Sequence, residues 1–218
     1  MTLDNAMSPE AEDMKPVRQR TKNMAKIKTP KYDASDVFFT ADLHFGHYAV
    51  AGHRGYEDKL KMNEDIIENW NNAINGNAVV FVLGDISFCN SLDTVQLLLQ
   101  LNGTMHLIRG NHDKSLSNDV LGLFQSDNQQ LEIDVLHPEC KQRVYMSHYA
   151  HRVWNRHHFG AFHLFGHSHG SLKGSGKSMD VGLDTNNLTP WTFEAIKAKL
   201  DPISIHGVDH HKEQGPSA

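Results

Sequence analysis

Val37-Phe38-Phe39-Thr40-Ala41-Asp42-Leu43-His44 opens as an apolar, strand-forming run and breaks off into two side chains able to bind metal. The same change recurs downstream. Val79-Val80-Phe81-Val82-Leu83 runs into Gly84-Asp85, and Met105-His106-Leu107-Ile108 runs into Arg109-Gly110-Asn111-His112-Asp113. Val144-Tyr145-Met146 leads to Ser147-His148, and Phe162-His163-Leu164-Phe165 leads to Gly166-His167-Ser168-His169. If these strands share a sheet, their carboxyl ends form one rim, which is where α/β proteins place ligands.

Amphipathic stretches lie between the runs. The periodicity predicts helices over about 62–75 (Ile66, Ile67, Trp70 and Ile74 on one face), 91–101, 116–124 and 191–200. The last would start at Thr189-Pro190, an N-cap followed by proline at the first helical position. Strands alternating with helices indicate an α/β layered fold.

The 218 residues suit one large domain with an arm, and bury a core without disulfides. Residues 1–35 contain Pro9, Pro16 and Pro30 and no sustained apolar period, and read as a mobile extension. The domain then occupies 36–205, with a flexible tail over 206–218. All seven bases of the first 31 residues fall between Lys15 and Lys31, where there is no acid; the remainder is acidic. That basic arm is either a solvated tail or a contact for nucleic acid or an acidic partner. The acidic body argues against broad duplex binding, which needs many phosphate neutralisations.

Two cysteines, Cys89 and Cys140, are too few for a thiolate zinc site and read as reduced thiols. No apolar run reaches the length of a membrane span, and the polar N-terminus lacks a signal-peptide core. The expectation is a soluble, cytoplasmic protein with no membrane partner. The 16 histidines raise the prior for metal chemistry without locating a site.

Taken singly, Asp-x-His and Gly-Asp are common. In this order, each after a strand, they are specific. The ordered set Asp42-x-His44, Gly84-Asp85, Gly110-Asn111-His112-Asp113, His148 and Gly166-His167-x-His169 resembles the calcineurin-like metallophosphoesterase superfamily over about residues 36–200. The wording Thr40-Ala41-Asp42-Leu43-His44-Phe45-Gly46-His47, with Ser147-His148-Tyr149 and Asp180-Val181-Gly182-Leu183-Asp184, is similar to the compact phosphoesterases of bacteria and phages. The family usually has proline where this chain has Ala150.

The resemblance implies a four-layer αββα sandwich, two mixed β-sheets flanked by helices. It implies a phosphoesterase acting on phosphate esters, with two divalent ions: Mn²⁺ first, Fe²⁺, Zn²⁺ or Ni²⁺ otherwise. Asp42, His44, Asp85 and His169 would hold one ion. Asp85, Asn111, His148 and His167 would hold the other, with Asp85 bridging. His112 would act as general acid, oriented by Asp113. Asp180 and Asp184 would brace the His167–His169 turn.

Further candidates come from position alone. His47, Arg54 and Tyr149 are candidate substrate contacts, and Tyr48 and Trp154 are candidate rim aromatics. Arg109 either supports the site or pairs with an acid. His157 and His158 are expected on the surface, as are His210 and His211. His106, His137, His151 and His163 are expected to be structural. Within the phosphoesterase reading, a diesterase on nucleotide or nucleic-acid substrates is favoured over a phosphomonoesterase. A catalytically silent metal-binding scaffold is the reading from another class.

Overall fold

The computed structural model describes residues 28–205. In chain order the elements are β1 (Lys31–Asp33), β2 (Val37–Thr40), α1 (Tyr48–His53), α2 (Lys59–Ala73), β3 (Val79–Val82), α3 (Ser91–Leu98), β4 (Thr104–Ile108), α4 (Asn118–Leu121), β5 (Ser126–Asn128), β6 (Gln130–His137), β7 (Cys140–Ser147), β8 (Phe162–Phe165), β9 (Ser178–Asp180), β10 (Trp191–Thr192) and α5 (Phe193–Leu200).

Two five-stranded sheets result, ordered β10-β2-β3-β4-β5 and β1-β6-β7-β8-β9. Both are mixed. In the first only β10 runs antiparallel to its neighbour; in the second the antiparallel pair is β6–β7. The continuous apolar runs of β2 and β3 follow from burial on both faces. Phe39, Phe81 and Ile108 face Ile133, Val144, Met146 and Phe162 of the other sheet. Phe38, Val80, Val82 and Leu107 face away and pack on Met62, Ile66 and Trp70 of α2.

Trp70 is fully buried, yet its indole N–H donates to the Asn102 carbonyl at 2.9 Å, so its burial strands no donor. Asp58 caps α2 by accepting from the Leu60 N–H at 2.8 Å. Over the outer face of the second sheet, the irregular segment 149–161 lays Trp154 and Ala161 against Tyr145. The helix α5 closes an edge beside β10 and β2.

The structure differs from the sequence expectations at several points. The extension expected over 1–35 does not reach 35: Lys31–Asp33 pair in parallel with Asp134–Leu136, and Ala34 is buried. The rest of that arm, its basic run up to Lys26 included, and the tail from 206 lie outside the described residues. Thr189-Pro190 does not start the last helix. Trp191–Thr192 first pairs with β2, and the Thr192 hydroxyl then caps α5 by accepting from the Ala195 N–H. The helix expected over 116–124 shortens to α4, capped by Ser117. His157 is buried rather than exposed, 4.4 Å from the Trp154 ring. Cys89 and Cys140 are free thiols. Among the described residues, no helix is long and apolar enough to cross a membrane.

The ligand-bearing strands do not share one sheet. β2, β3 and β4 belong to the first, and β7 and β8 to the second. Their carboxyl ends nevertheless meet. The His148 ring bonds the Leu83 carbonyl at 2.7 Å, and the His167 N–H donates to Asp42 Oδ2 at 2.8 Å. The rim is therefore a seam between two sheets.

Candidate metal centre

The loops leaving the strands interlock through backbone bonds. The Asp42 N–H donates to the Gly84 carbonyl (2.9 Å) and the His44 N–H to the Asp85 carbonyl (3.0 Å). Two glycines permit this closeness. A Cβ on Gly84, whose φ is +88°, would lie 2.4 Å from the Gly110 nitrogen and 2.7 Å from His148 Nδ1. A Cβ on Gly110 would lie 2.1 Å from Asp85 Oδ1.

The non-glycine backbone here is strained as well. Among the described residues eight non-glycines have positive φ, and five of them are Asp42 (58°), His44 (50°), Asp85 (57°), His167 (67°) and His169 (48°). Such conformations cost roughly 1–2 kcal/mol each and persist where surrounding structure over-determines them.

All seven residues that the sequence suggests as ligands converge. Asp42, His44 and His169 form one group, and Asp85, His148 and His167 another; in each, one donor atom per residue lies within 4.8 Å of the others. Asp85 Oδ2 stands between them, 3.7 Å from His44 Nε2 and 3.5 Å from His148 Nε2. Asn111 Oδ1 lies 3.0 Å from His148 Nε2.

Each carboxylate has one oxygen fixed and one free to face the centre. Asp42 Oδ2 accepts from the His167 N–H, and Asp85 Oδ1 from the His112 N–H at 3.0 Å. The imidazoles are oriented from behind. His148 Nδ1 bonds the Leu83 carbonyl and His169 Nδ1 bonds Asp184 Oδ2 at 2.8 Å, which leaves Nε2 as the donor of each.

Asp42 Oδ1 and both ring nitrogens of His44 are buried without a hydrogen-bond partner among the described residues. Three such atoms in one place would cost about 1–3 kcal/mol each if nothing met them. Burial pushes the Asp42 carboxyl well above the usual carboxylate range. Burial, reinforced by His169, pushes His44 down to about 2, so its imidazole is neutral. Carboxylate oxygens and imidazole nitrogens left without partners and aimed at a common point are what a divalent cation would meet, and its charge would favour the ionised Asp42, so the residues present fit one.

Asp184 and Asp180 brace the last turn as expected. Burial alone would raise Asp184, but hydrogen bonds from Arg54 and His169 hold its carboxyl well below the usual range. That bond in turn raises His169. Asp180 accepts from Ser168 Oγ (2.6 Å) and from the Gly170 and Gly182 N–H groups. We expect Asp184→Asn to lower metal affinity by about 10–100-fold, read by calorimetric titration with Mn²⁺. Unchanged affinity would remove Asp184 from the site.

Three of the expected roles meet other contacts. Arg54, expected as a substrate contact, is engaged within the protein. Its buried guanidinium donates through Nε and Nη2 to the two Asp184 oxygens (2.9 and 2.7 Å), and through Nη1 and Nη2 to the Leu43 and Asp42 carbonyls. Asp113, expected to orient His112, instead bonds neighbouring backbone. Its buried carboxylate accepts from the backbone N–H groups of Asp85 (2.8 Å), Ile86 (3.0 Å) and Gly110 (2.7 Å). Trp154 is no rim aromatic: it is buried, with its indole N–H on the Ala161 carbonyl.

The other candidates divide. His112 is at the mouth, its side chain 44% exposed and its Nε2 4.0 Å from Asp85 Oδ2. His47 lies 5.4 Å from the His44 ring, but its Nδ1 is occupied in accepting from the Val50 N–H at 3.1 Å. Tyr149 is half exposed, its ring 4.6 Å from His167. Tyr48 is exposed at the start of α1. Arg109 pairs with Asp127. His163 is buried and pushed down to about 3 by burial, and its Nε2 accepts from the His151 N–H.

One residue escaped the sequence reading. Phe88 stands among the rings of His47 (3.9 Å), His112 (4.7 Å) and His44 (5.4 Å) while 42% exposed. Its position three residues past Asp85 was the available signal.

Comparison with known proteins agrees with this geometry. The family model described as Calcineurin-like phosphoesterase matches residues 36–208. A stretch of 82 residues is 35% identical to an uncharacterized protein of Methanocaldococcus jannaschii, covering 36% of this chain and 47% of that protein. A stretch of 83 residues is 39% identical to the Gene 66 protein of Mycobacterium phage D29, covering 37% of this chain and 41% of that protein. The chain thus spans less than half the length of these relatives. A crystal structure of a protein of unknown function from Aquifex aeolicus shares the fold, with TM-score 0.58 and 18% identity over 75% of this chain and 98% of that one.

Proposed function

The chain belongs to the calcineurin-like phosphoesterase family, and from that premise we propose that it hydrolyses phosphodiesters of nucleotide or nucleic-acid type at a centre of two divalent ions. The observation that carries this reading is Asp85 Oδ2, within 3.7 Å of a ring nitrogen from each ligand group. One carboxylate can serve two cations. Asp42, His44, Asp85 and His169 would hold one ion, and Asp85, Asn111, His148 and His167 the other. Nitrogen and oxygen donors without thiolate suit Mn²⁺, Fe²⁺, Zn²⁺ or Ni²⁺, and Mn²⁺ is the ion to restore first. Bound there, divalent cations supply Lewis-acid stabilisation of phosphoryl charge and lower the pKa of water.

The protein's own residues complete the chemistry. Asp184 and Leu83 hold His169 and His148 in the tautomer that presents Nε2. His112, half exposed above Asp85, is the group that donates a proton to the departing ester oxygen. The diester is favoured over the monoester by the engagement of Arg54. A monoester dianion carries an extra charge, and Arg54, bonded to the Asp42 carbonyl, is spent on Asp184.

The test compares bis-p-nitrophenyl phosphate with p-nitrophenyl phosphate, using metal-stripped protein restored with Mn²⁺. The diester should turn over faster. His112→Gln should retain both ions and lose roughly 10²-fold on diphenyl phosphate, whose leaving group needs a proton. The loss on the p-nitrophenyl diester should be smaller. Monoester preference would make the protein a phosphomonoesterase. Loss of metal in step with activity would end the proton-donor role. No turnover with both ions bound would favour a scaffold.

A further inference from the structure

Beside Asn111 and His148 the surface falls into an open groove of about 440 Å³, walled by Lys114, Gln129, Gln130, Tyr149 and His151. Since Asn111 and His148 also belong to the candidate centre, the groove is continuous with it. His112 does not line the groove: its ring packs toward Phe88 and His44.

The walls have a definite chemistry. Tyr149 offers an aromatic ring, half exposed and set edge-on to His148 (5.1 Å) and His167 (4.6 Å). Its backbone is pinned as well, because Ser147 Oγ donates to the Tyr149 carbonyl at 2.8 Å. Gln130 takes the Tyr145 hydroxyl on Oε1, so its amide nitrogen keeps its donors, and Gln129 is exposed beside it. Arg109, also on the wall, is engaged by Asp127. Lys114 is exposed and forms no ion pair among the described residues. The residues of the wall offer amides, imidazole and a cation beside the Tyr149 ring.

We propose that this groove is a nucleoside subsite for the ester arm that stays on the phosphate. The base stacks on Tyr149, the Gln129 and Gln130 amides meet base or sugar, and Lys114 meets the next phosphate of a single strand. This rests on the phosphodiesterase reading and narrows it. One aromatic shelf and one cation recognise a nucleotide without reading its sequence, because every base has a stacking face.

The experiment uses two diesters with the same leaving group, thymidine 5′-(p-nitrophenyl) phosphate and methyl p-nitrophenyl phosphate, on the Mn²⁺-restored full chain. Differences in kcat/KM then report the retained arm alone. The thymidylyl ester should exceed the methyl ester by about tenfold or more, the size of one base stack. Tyr149→Ala should cut the thymidylyl ester at least fivefold more than the methyl ester, and Tyr149→Phe should restore the ratio. Equal kcat/KM for both esters, or an equal loss on both in Tyr149→Ala, would overturn the subsite while leaving the diesterase standing. Turnover of neither ester, with two ions bound, would overturn the diesterase reading and the subsite with it.

Discussion

Asp85→Asn should lower turnover of bis-p-nitrophenyl phosphate by ~10³-fold or more, about 4 kcal/mol of barrier, and should weaken both ions together. The substitution is nearly isosteric. Its amide oxygen can keep the bond from the His112 N–H, so the fold has little reason to respond. The other end is what matters. An NH₂ group would then stand where Oδ2 now lies between His44 Nε2 and His148 Nε2, as a donor aimed at cations and with the bridging charge removed. Two dications a few ångströms apart repel strongly, and an anion between them offsets that repulsion. The measurement is metal content per chain beside kcat. Loss of a single ion would show that Asp85 serves one site only.

Much of this centre was legible along the chain because its signals are local. A strand ending in a ligand can be read from eight residues, and β2 and β8 begin and end where the apolar runs do. What could not be read is held by distant partners. Arg54 meets Asp184 across 130 positions, and no spacing near Arg54 announces that pairing. Trp154 resembles a rim aromatic until the outer face of β7 is seen to need a cover. β1 and β10 are too short for a periodic pattern and form by pairing with β6 and β2. The division of the ligand strands between two sheets is likewise a matter of pairing, which composition does not record.

Asp113 is bound into the backbone of the motif loops, and Asp113→Ala should be the most destabilising change at the centre. The Asp113 carboxylate is fully buried and accepts from three backbone N–H groups, two of them on the loop that carries Asp85. Removing it leaves three buried donors unmet, at about 1–3 kcal/mol each, so a loss of at least ~3 kcal/mol is expected. For a chain of this size, that lowers Tm by about 6–12 °C. Asp113→Asn, which keeps an acceptor oxygen, should fall between. Thermal denaturation followed by circular dichroism decides the matter. A variant that holds its Tm and loses only turnover would return Asp113 to the role of orienting His112.

The five strained candidate ligands also bear on the stability of the chain. At a left-handed position glycine costs nothing, and asparagine little. A chain selected for stability alone would drift toward those residues at 42, 44, 85, 167 and 169, and would gain several kcal/mol against a net stability of only about 5–15. Aspartate and histidine at these five positions therefore hold backbone strain that glycine would relieve.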